Sequence, residues 1–254
     1  MHLPALDHWT NTRIGLHQAA QVLGAIQAAA AEPEPNYLHL ALRIIPNGLT
    51  THTLPKGDLQ LDFVDQCIRY RSPENRETCI PLAQHTPISL ADQIEYQLSP
   101  LTLKREKLTA TQPFQIDPRL ATDYAHALTL ISSALERFRA GLPKEKTPLV
   151  VWPHGFDLSF LWFATERLDE QAPHLSFGFS PYSAGLERPY LYAYAYPIPD
   201  GLTQTQLPPL AHWHTQDWTG AVLPYDTLVK LDEPEQAIVS SFQQIYDSVA
   251  PLLS

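Results

Sequence analysis

Between Pro189 and Pro197 the chain reads Tyr190-Leu191-Tyr192-Ala193-Tyr194-Ala195-Tyr196. Strict alternation has the period of a β-strand, whose successive side chains point to opposite faces, and does not fit the 3.6-residue period of a helix. One face of this strand carries four phenols. The other carries Leu191 and two alanines, small enough to accept a packed helix. The rest of the chain must therefore supply neighbouring strands, a helix for the small side, and a setting for a row of tyrosines. Rings with hydroxyl tips suit a ligand groove or a subunit interface, and equally an aromatic sheet face whose hydroxyls bond to loops.

The helices are legible from apolar stripes and their stops. A first helix is expected from Asp7 to about Ala31, with Trp9, Leu16, Leu23 and Ile26 near one face, closed by Glu32-Pro33-Glu34-Pro35. Asp117-Pro118 is a strong helix start, because Asp accepts from the first free amides and Pro at the first position loses no needed donor. Tyr124, Leu128, Ile131, Leu135 and Phe138 then repeat at intervals of four and three until Gly141 and Pro143. Ser89 reads as the N-cap of a helix carrying Ile94 and Leu98 and ended by Pro100, and Asp232-Glu233-Pro234 opens a last helix that buries Ile238, Phe242, Ile245 and Val249. Short strands are expected at Tyr37 to Ile45, Leu49 to Leu54 and Leu59 to Val64, and at Cys67 to Arg71 and Glu77 to Leu82 around Ser72-Pro73-Glu74-Asn75. Further strands follow at Val150 to Phe163, around a Pro-x-Gly corner, and at His174 to Phe179. Residues 101–112, with Lys104, Arg105 and Lys107, read as a solvated connector.

This order predicts an α+β fold with mainly antiparallel, meandering sheet and helices packed on it. At 254 residues one domain, 1–254, accounts for the chain. Within it, residues 7–99 and 117–253 both run helix, strands, helix around a connector at 100–116, and the corners Pro46-Asn47-Gly48 and Pro153-His154-Gly155 fall at matching places. An internal duplication is one reading of that match and chance the other.

Several function classes are excluded by expectation. The formal net charge of -10 leaves no general cationic footprint for a nucleic-acid backbone. No apolar run approaches the roughly 20 residues that span a bilayer. Met1 to His8 lacks the basic and apolar regions of a signal peptide, so a cytoplasmic location with Cys67 and Cys79 reduced and buried is expected. No GxGxxG, P-loop, HExxH, GxSxG or CxxC is present in the setting such motifs require.

Three constellations remain. His154 and Asp157, three residues apart at the corner, are candidate catalytic residues: an acid–base pair or ligands of a metal whose identity is open, with His174, His212 or His214 as a third ligand. Their structural alternative is a corner cap with a carboxylate accepting nearby amides. Trp152, Phe156, Ser180, Tyr190, Tyr192 and Tyr194 combine aromatic walls with polar tips, the usual make-up of a ligand pocket. His212-Trp213-His214 puts two imidazoles on one face if extended, although a surface loop is the expected setting. These features support three functions: a small-molecule-binding protein with an aromatic-lined pocket, a metal-dependent hydrolase-like enzyme, or a homodimer using the tyrosine face.

Trp152-Pro153-His154-Gly155-Phe156-Asp157-Leu158, Gly178-Phe179-Ser180-Pro181, the Pro189 to Pro197 strand and Gly220-Ala221-Val222-Leu223-Pro224-Tyr225-Asp226 together resemble the bacterial family catalogued as domain of unknown function 5996. Gly48-Leu49-Thr50-Thr51 and Leu61-Asp62-Phe63-Val64-Asp65 resemble its N-terminal part. The resemblance implies one family-length domain in a soluble bacterial protein, and no activity, cofactor or catalytic residue.

Overall fold

In the computed structural model, residues 2–98, 103 and 108–253 are described. Lys104, Arg105 and Lys107 of the expected connector lie outside them. The fold is α+β, with two antiparallel sheets.

The first sheet is a meander of β1 (Arg43–Ile45), β2 (Gly48–Thr50), β3 (Asp58–Asp62), β4 (Cys67–Arg71) and β5 (Glu77–Pro81), in that order. It follows α1 (Thr10–Ala30) and precedes α2 (Pro87–Leu98). The second sheet follows α3 (Pro118–Gly141) and contains β6 (Val150–Trp152), β7 (Asp157–Phe163), β8 (His174–Ser180), β9 (Tyr190–Tyr196), β10 (His212–His214) and β11 (Gly220–Pro224). Its spatial order is β10-β11-β9-β8-β7-β6. The helices α4 (Tyr225–Leu228) and α5 (Pro234–Val249) close the chain.

The chain divides into two compact units. The N-terminal unit comprises Leu6–Thr129 and Val151–Phe156; the C-terminal unit comprises Met1–Ala5, Leu130–Val150 and Asp157–Ser254. Inside the N-terminal unit Tyr124 packs 5.0 Å from Trp9, 5.5 Å from Phe63 and 5.4 Å from Phe156, between ring centroids. The C-terminal unit has a phenylalanine core. Phe138 of α3 meets Phe177 edge-on at 4.8 Å and lies 6.1 Å from Phe160 and 5.6 Å from Phe242 of α5. These contacts cover the side of the sheet that carries Leu191, Ala193 and Ala195, all buried. The stripe read from sequence, Tyr124 to Phe138, is buried throughout.

Several local expectations are corrected. Tyr37 to Ile45 is not one strand: Pro35–Leu40 forms 3-10 turns with Asn36 and Tyr37 at φ 55° and 54°, and the strand is Arg43–Ile45. The His39 imidazole accepts the Glu34 N–H at 3.1 Å, which ties the segment into a tight loop. α1 begins at Thr10 rather than Asp7, because His8 takes a left-handed φ of 53°. β3 stops at Asp62, whose Oδ1 accepts the Val64 and Asp65 amides, both at 2.9 Å. Thr86, not Ser89, caps α2. The two residues bond reciprocally, Thr86 N–H to Ser89 Oγ at 2.9 Å and Ser89 N–H to Thr86 Oγ1 at 3.2 Å, as in a capping box. Cys67 is buried but Cys79, on the rim strand β5, is exposed.

The two Pro-x-Gly corners are built differently. Pro46 and Asn47 form a two-residue turn with Ile45 opposite Gly48, and Gly48 is required because a Cβ there would lie 1.9 Å from the Leu61 carbonyl oxygen. At the second corner the Gly155 and Phe156 amides both donate to the Trp152 carbonyl, and Phe156 takes the positive φ, 57°.

Candidate functional site

The tyrosine strand β9 lies inside the second sheet, between β8 and β11, and strand alternation assembles the face it shares with its neighbours. Ser159, Gly178, Tyr192, Val222 and His212 form one row across five strands in register. Leu161, Ser176 and Tyr194 form the next, and Phe163, His174 and Tyr196 the one beyond. On the other side of Tyr192, Ser180 pairs with Tyr190. The face that carries the phenols thus includes Asp157 and Ser159 of β7 and His174, Ser176 and Ser180 of β8. Ser159, Ser176, Ser180, His174 and His214 are all buried.

A buried polar group is costly unless it is hydrogen-bonded, and most of these groups are paired. Tyr192 O–H donates to Asp157 Oδ2 at 2.8 Å, and Ser159 hydrogen-bonds the same phenol. Tyr190 bonds Ser183 Oγ at 2.8 Å, Tyr194 bonds Ser176, and Ser180 Oγ donates to the Tyr182 carbonyl at 2.9 Å. Gly178 makes the first of these bonds possible. A Cβ there would lie 2.5 Å from Tyr192 Cζ and 2.6 Å from its Oη, so only glycine lets the ring lie across β8 to reach the first residue of β7.

Burial pushes the Tyr190, Tyr192 and Tyr194 phenols above their ordinary range, and the Asp157 carboxylate adds to this at all three. They are therefore protonated donors near neutrality. The folded chain holds these protons more tightly than the unfolded chain, whose phenols ionise near pH 10. Stability is then intact below that pH and lost as pH rises through it toward the folded values. The unfolding free energy read from urea titration is expected to fall steeply above about pH 10, by up to about 1.4 kcal/mol per pH unit for each tyrosine, and Tyr192→Phe is expected to flatten the fall.

Two imidazoles flank the row. His174 donates Nδ1–H to the Ala172 carbonyl at 2.8 Å, which leaves the lone pair on Nε2; burial holds the ring neutral by lowering its pKa. It stacks on Tyr196 at 5.4 Å. His214 belongs to strand β10 rather than to the expected surface loop, paired in register with Gly220. Its Nε2 is buried with no hydrogen-bond partner among the described residues. Trp218 packs at 4.8 Å from this ring and covers the strip with Leu186.

The residues read from sequence are divided between the two units. Ser180, Tyr190, Tyr192, Tyr194 and Asp157 belong to the C-terminal unit and to this face. Trp152, Phe156 and His154 belong to the N-terminal unit. There Phe156 is a core side chain, 2% exposed, stacked on His17 at 5.3 Å. His17 Nε2–H donates to the Pro153 and His154 carbonyls at 3.0 and 3.2 Å, and Gly24 of α1 leaves room for the Pro153 ring. The His154 side chain is exposed, with Trp152 at 6.2 Å between centroids. The catalytic pair of the sequence reading is thus found with separate partners: His154 by Trp152, Asp157 on Tyr192. Sequence reasoning missed Ser159, Ser176 and Trp218. The serines left a usable signal, since Asp157-Leu158-Ser159 and Ser176-Phe177-Gly178-Phe179-Ser180 alternate polar or small with apolar residues, in step with the tyrosine strand.

Among the described residues no group of three His, Cys, Asp or Glu side chains is placed to hold a metal ion, and no helix is long and apolar enough to cross a membrane. A family model described as a family of unknown function (DUF5996) matches residues 2–254. Neither a curated protein nor a solved structure matches the chain.

Proposed function

We propose, for a chain that belongs to the DUF5996 family of unknown function, that it binds a small molecule on the tyrosine face of its six-stranded sheet. The observation that carries this reading is the polar layer itself. Five buried Ser and His side chains and the Asp157–Tyr192–Ser159 network sit on a sheet face where apolar packing is the ordinary solution. A few positioned polar groups among aromatic rings is the composition of a ligand site. The Tyr190 and Tyr192 O–H groups are committed to Ser183 and Asp157, so the face offers phenol oxygens and His174 Nε2 as acceptors, and the ligand carries donors on a flat apolar body.

Two observations favour this over the alternatives. For the metal-dependent enzyme, the described residues offer His154 and Asp157 no third ligand. For the homodimer, Tyr190 and Tyr192 are already buried within the chain, and of the four tyrosines Tyr196 alone is exposed, at 43%. Screening a fragment library by thermal shift tests the proposal. Fragments that stabilise the protein are expected to lose affinity about 5- to 30-fold in Tyr192→Phe, which removes a phenol oxygen that accepts from the ligand, a bond worth about 1–2 kcal/mol, and to bind His154→Ala like the parent. Binding that ignores Tyr192 and depends on His154 would move the site to the corner.

A further inference from the structure

Trp218 occupies a box made by three strands. Its ring lies 4.8 Å from that of His214 on β10, stacks on Tyr190 at 6.3 Å and 23°, and meets Tyr192 edge-on at 6.2 Å. Gly220 of β11 is the floor, where a Cβ would come within 2.4 Å of the indole Cζ3. A strand glycine at this spot gives up side-chain packing and admits a flat ring in its place. Inside the same box His214 Nε2 is buried without a partner among the described residues, and the residue is 8% exposed. The indole fills the volume and leaves that nitrogen unsatisfied.

Trp218 itself belongs to the sheet only through a short connection between β10 and β11, residues 215–219, and is half-buried. Asp217 before it takes a left-handed φ of 29°, and a Cβ added at Gly185 would lie 3.8 Å from Gln216 Oε1 and 3.9 Å from Asp217 Oδ2. A connection of this kind can carry its ring out through φ/ψ changes at a few residues, without breaking the β10–β11 ladder.

We propose that Trp218 fills the aromatic subsite of the ligand in the empty protein and is displaced by a planar heteroaromatic ring of about indole size, whose ring nitrogen bonds His214 Nε2. This rests on the tyrosine face being the binding site, and it names the ligand class and the residue that competes with it. Exchange of one flat ring for another leaves the stacking on Tyr190 nearly unchanged. The hydrogen bond to His214 is the difference that favours the ligand.

Benzimidazole, which carries both a ring N–H and a ring nitrogen, is the probe, with indene as its apolar counterpart. Trp218→Ala removes the competitor and is expected to bind benzimidazole at least about tenfold more tightly than the parent by calorimetric titration. Adding His214→Phe, which keeps a ring of similar volume, is expected to abolish about tenfold of that affinity and to leave indene binding unchanged. Trp218→Phe keeps the box filled and is expected to show no gain; it also serves if the alanine variant does not fold, because its replacement ring competes as indole does while the His214→Phe comparison is repeated in it. Equal benzimidazole affinity with and without His214 overturns the proposal, as does a folded Trp218→Ala that binds no better than the parent. If fragments bind in a Tyr192-dependent way while these variants change nothing, the inference about Trp218 fails and the tyrosine-face site stands.

Discussion

Gly178→Ala is expected to destabilise the protein by about 1–3 kcal/mol, toward the upper end, and to weaken binding at the tyrosine face by at least about tenfold. Overpacking a filled site usually costs that much. Here the added methyl would meet the Leu158 carbonyl oxygen at 2.5 Å as well as the Tyr192 ring, so a rotamer change alone does not relieve it. β8 must move away from β7, and the Tyr192 ring must shift relative to Asp157 as well. Urea unfolding together with fragment titration reads both effects. A variant with unchanged stability and unchanged affinity would mean that the close approach of Tyr192 to β8 has no part in either.

Phe138→Ala is expected to give the largest loss of stability, about 3–5 kcal/mol, the range for deleting a buried aromatic ring. Phe138 joins α3 to Phe160, Phe177 and Phe242 and is 2% exposed, so its removal leaves a cavity bounded by two sheet strands and α5. The loss is expected as a lower urea midpoint. Because the ring packs on the Leu191 and Ala193 side of the sheet, ligand affinity of the folded fraction is expected to be retained. Affinity lost in proportion to stability would mean that the two faces are not independent.

How far such features were legible in the sequence follows from the distance over which each is determined. The stripe from Tyr124 to Phe138 and the alternation from Tyr190 to Tyr196 are local patterns with a single period, and both elements form where the pattern places them. The Asp117 cap is local too, with Oδ1 accepting the Arg119 and Leu120 amides at 2.9 and 3.0 Å. Tyr37 to Ile45 carries a strand signal in its branched and aromatic residues, yet Asn36 and Tyr37 take left-handed φ values and His39 accepts the Glu34 amide, so the strand forms only at Arg43–Ile45. Thr86 and Ser89 can both cap a helix, and the choice between them depends on Pro87 occupying the first helical position.

The site divided in the same way. Tyr192 and Asp157 are 35 residues apart in the chain, and no local pattern ties a carboxylate at the start of β7 to a phenol on β9. The register that aligns Ser159, Gly178 and Tyr192 is a property of three strands. The Trp152 to Phe156 corner clusters two aromatic residues with His154 in the sequence. Much of that cluster serves packing: Phe156 is buried against Tyr124 and Phe63, and His17 bonds the corner's carbonyls.

The indole N–H resonances of the protein separate the two places directly, since the five tryptophans are Trp9, Trp152, Trp162, Trp213 and Trp218. With a stabilising fragment titrated into nitrogen-15-labelled protein and each resonance assigned by a Trp→Phe variant, the Trp218 signal is predicted to shift to saturation while that of Trp152 stays in place. Saturable movement of Trp152 with Trp218 unmoved would contradict a ligand site on the tyrosine face.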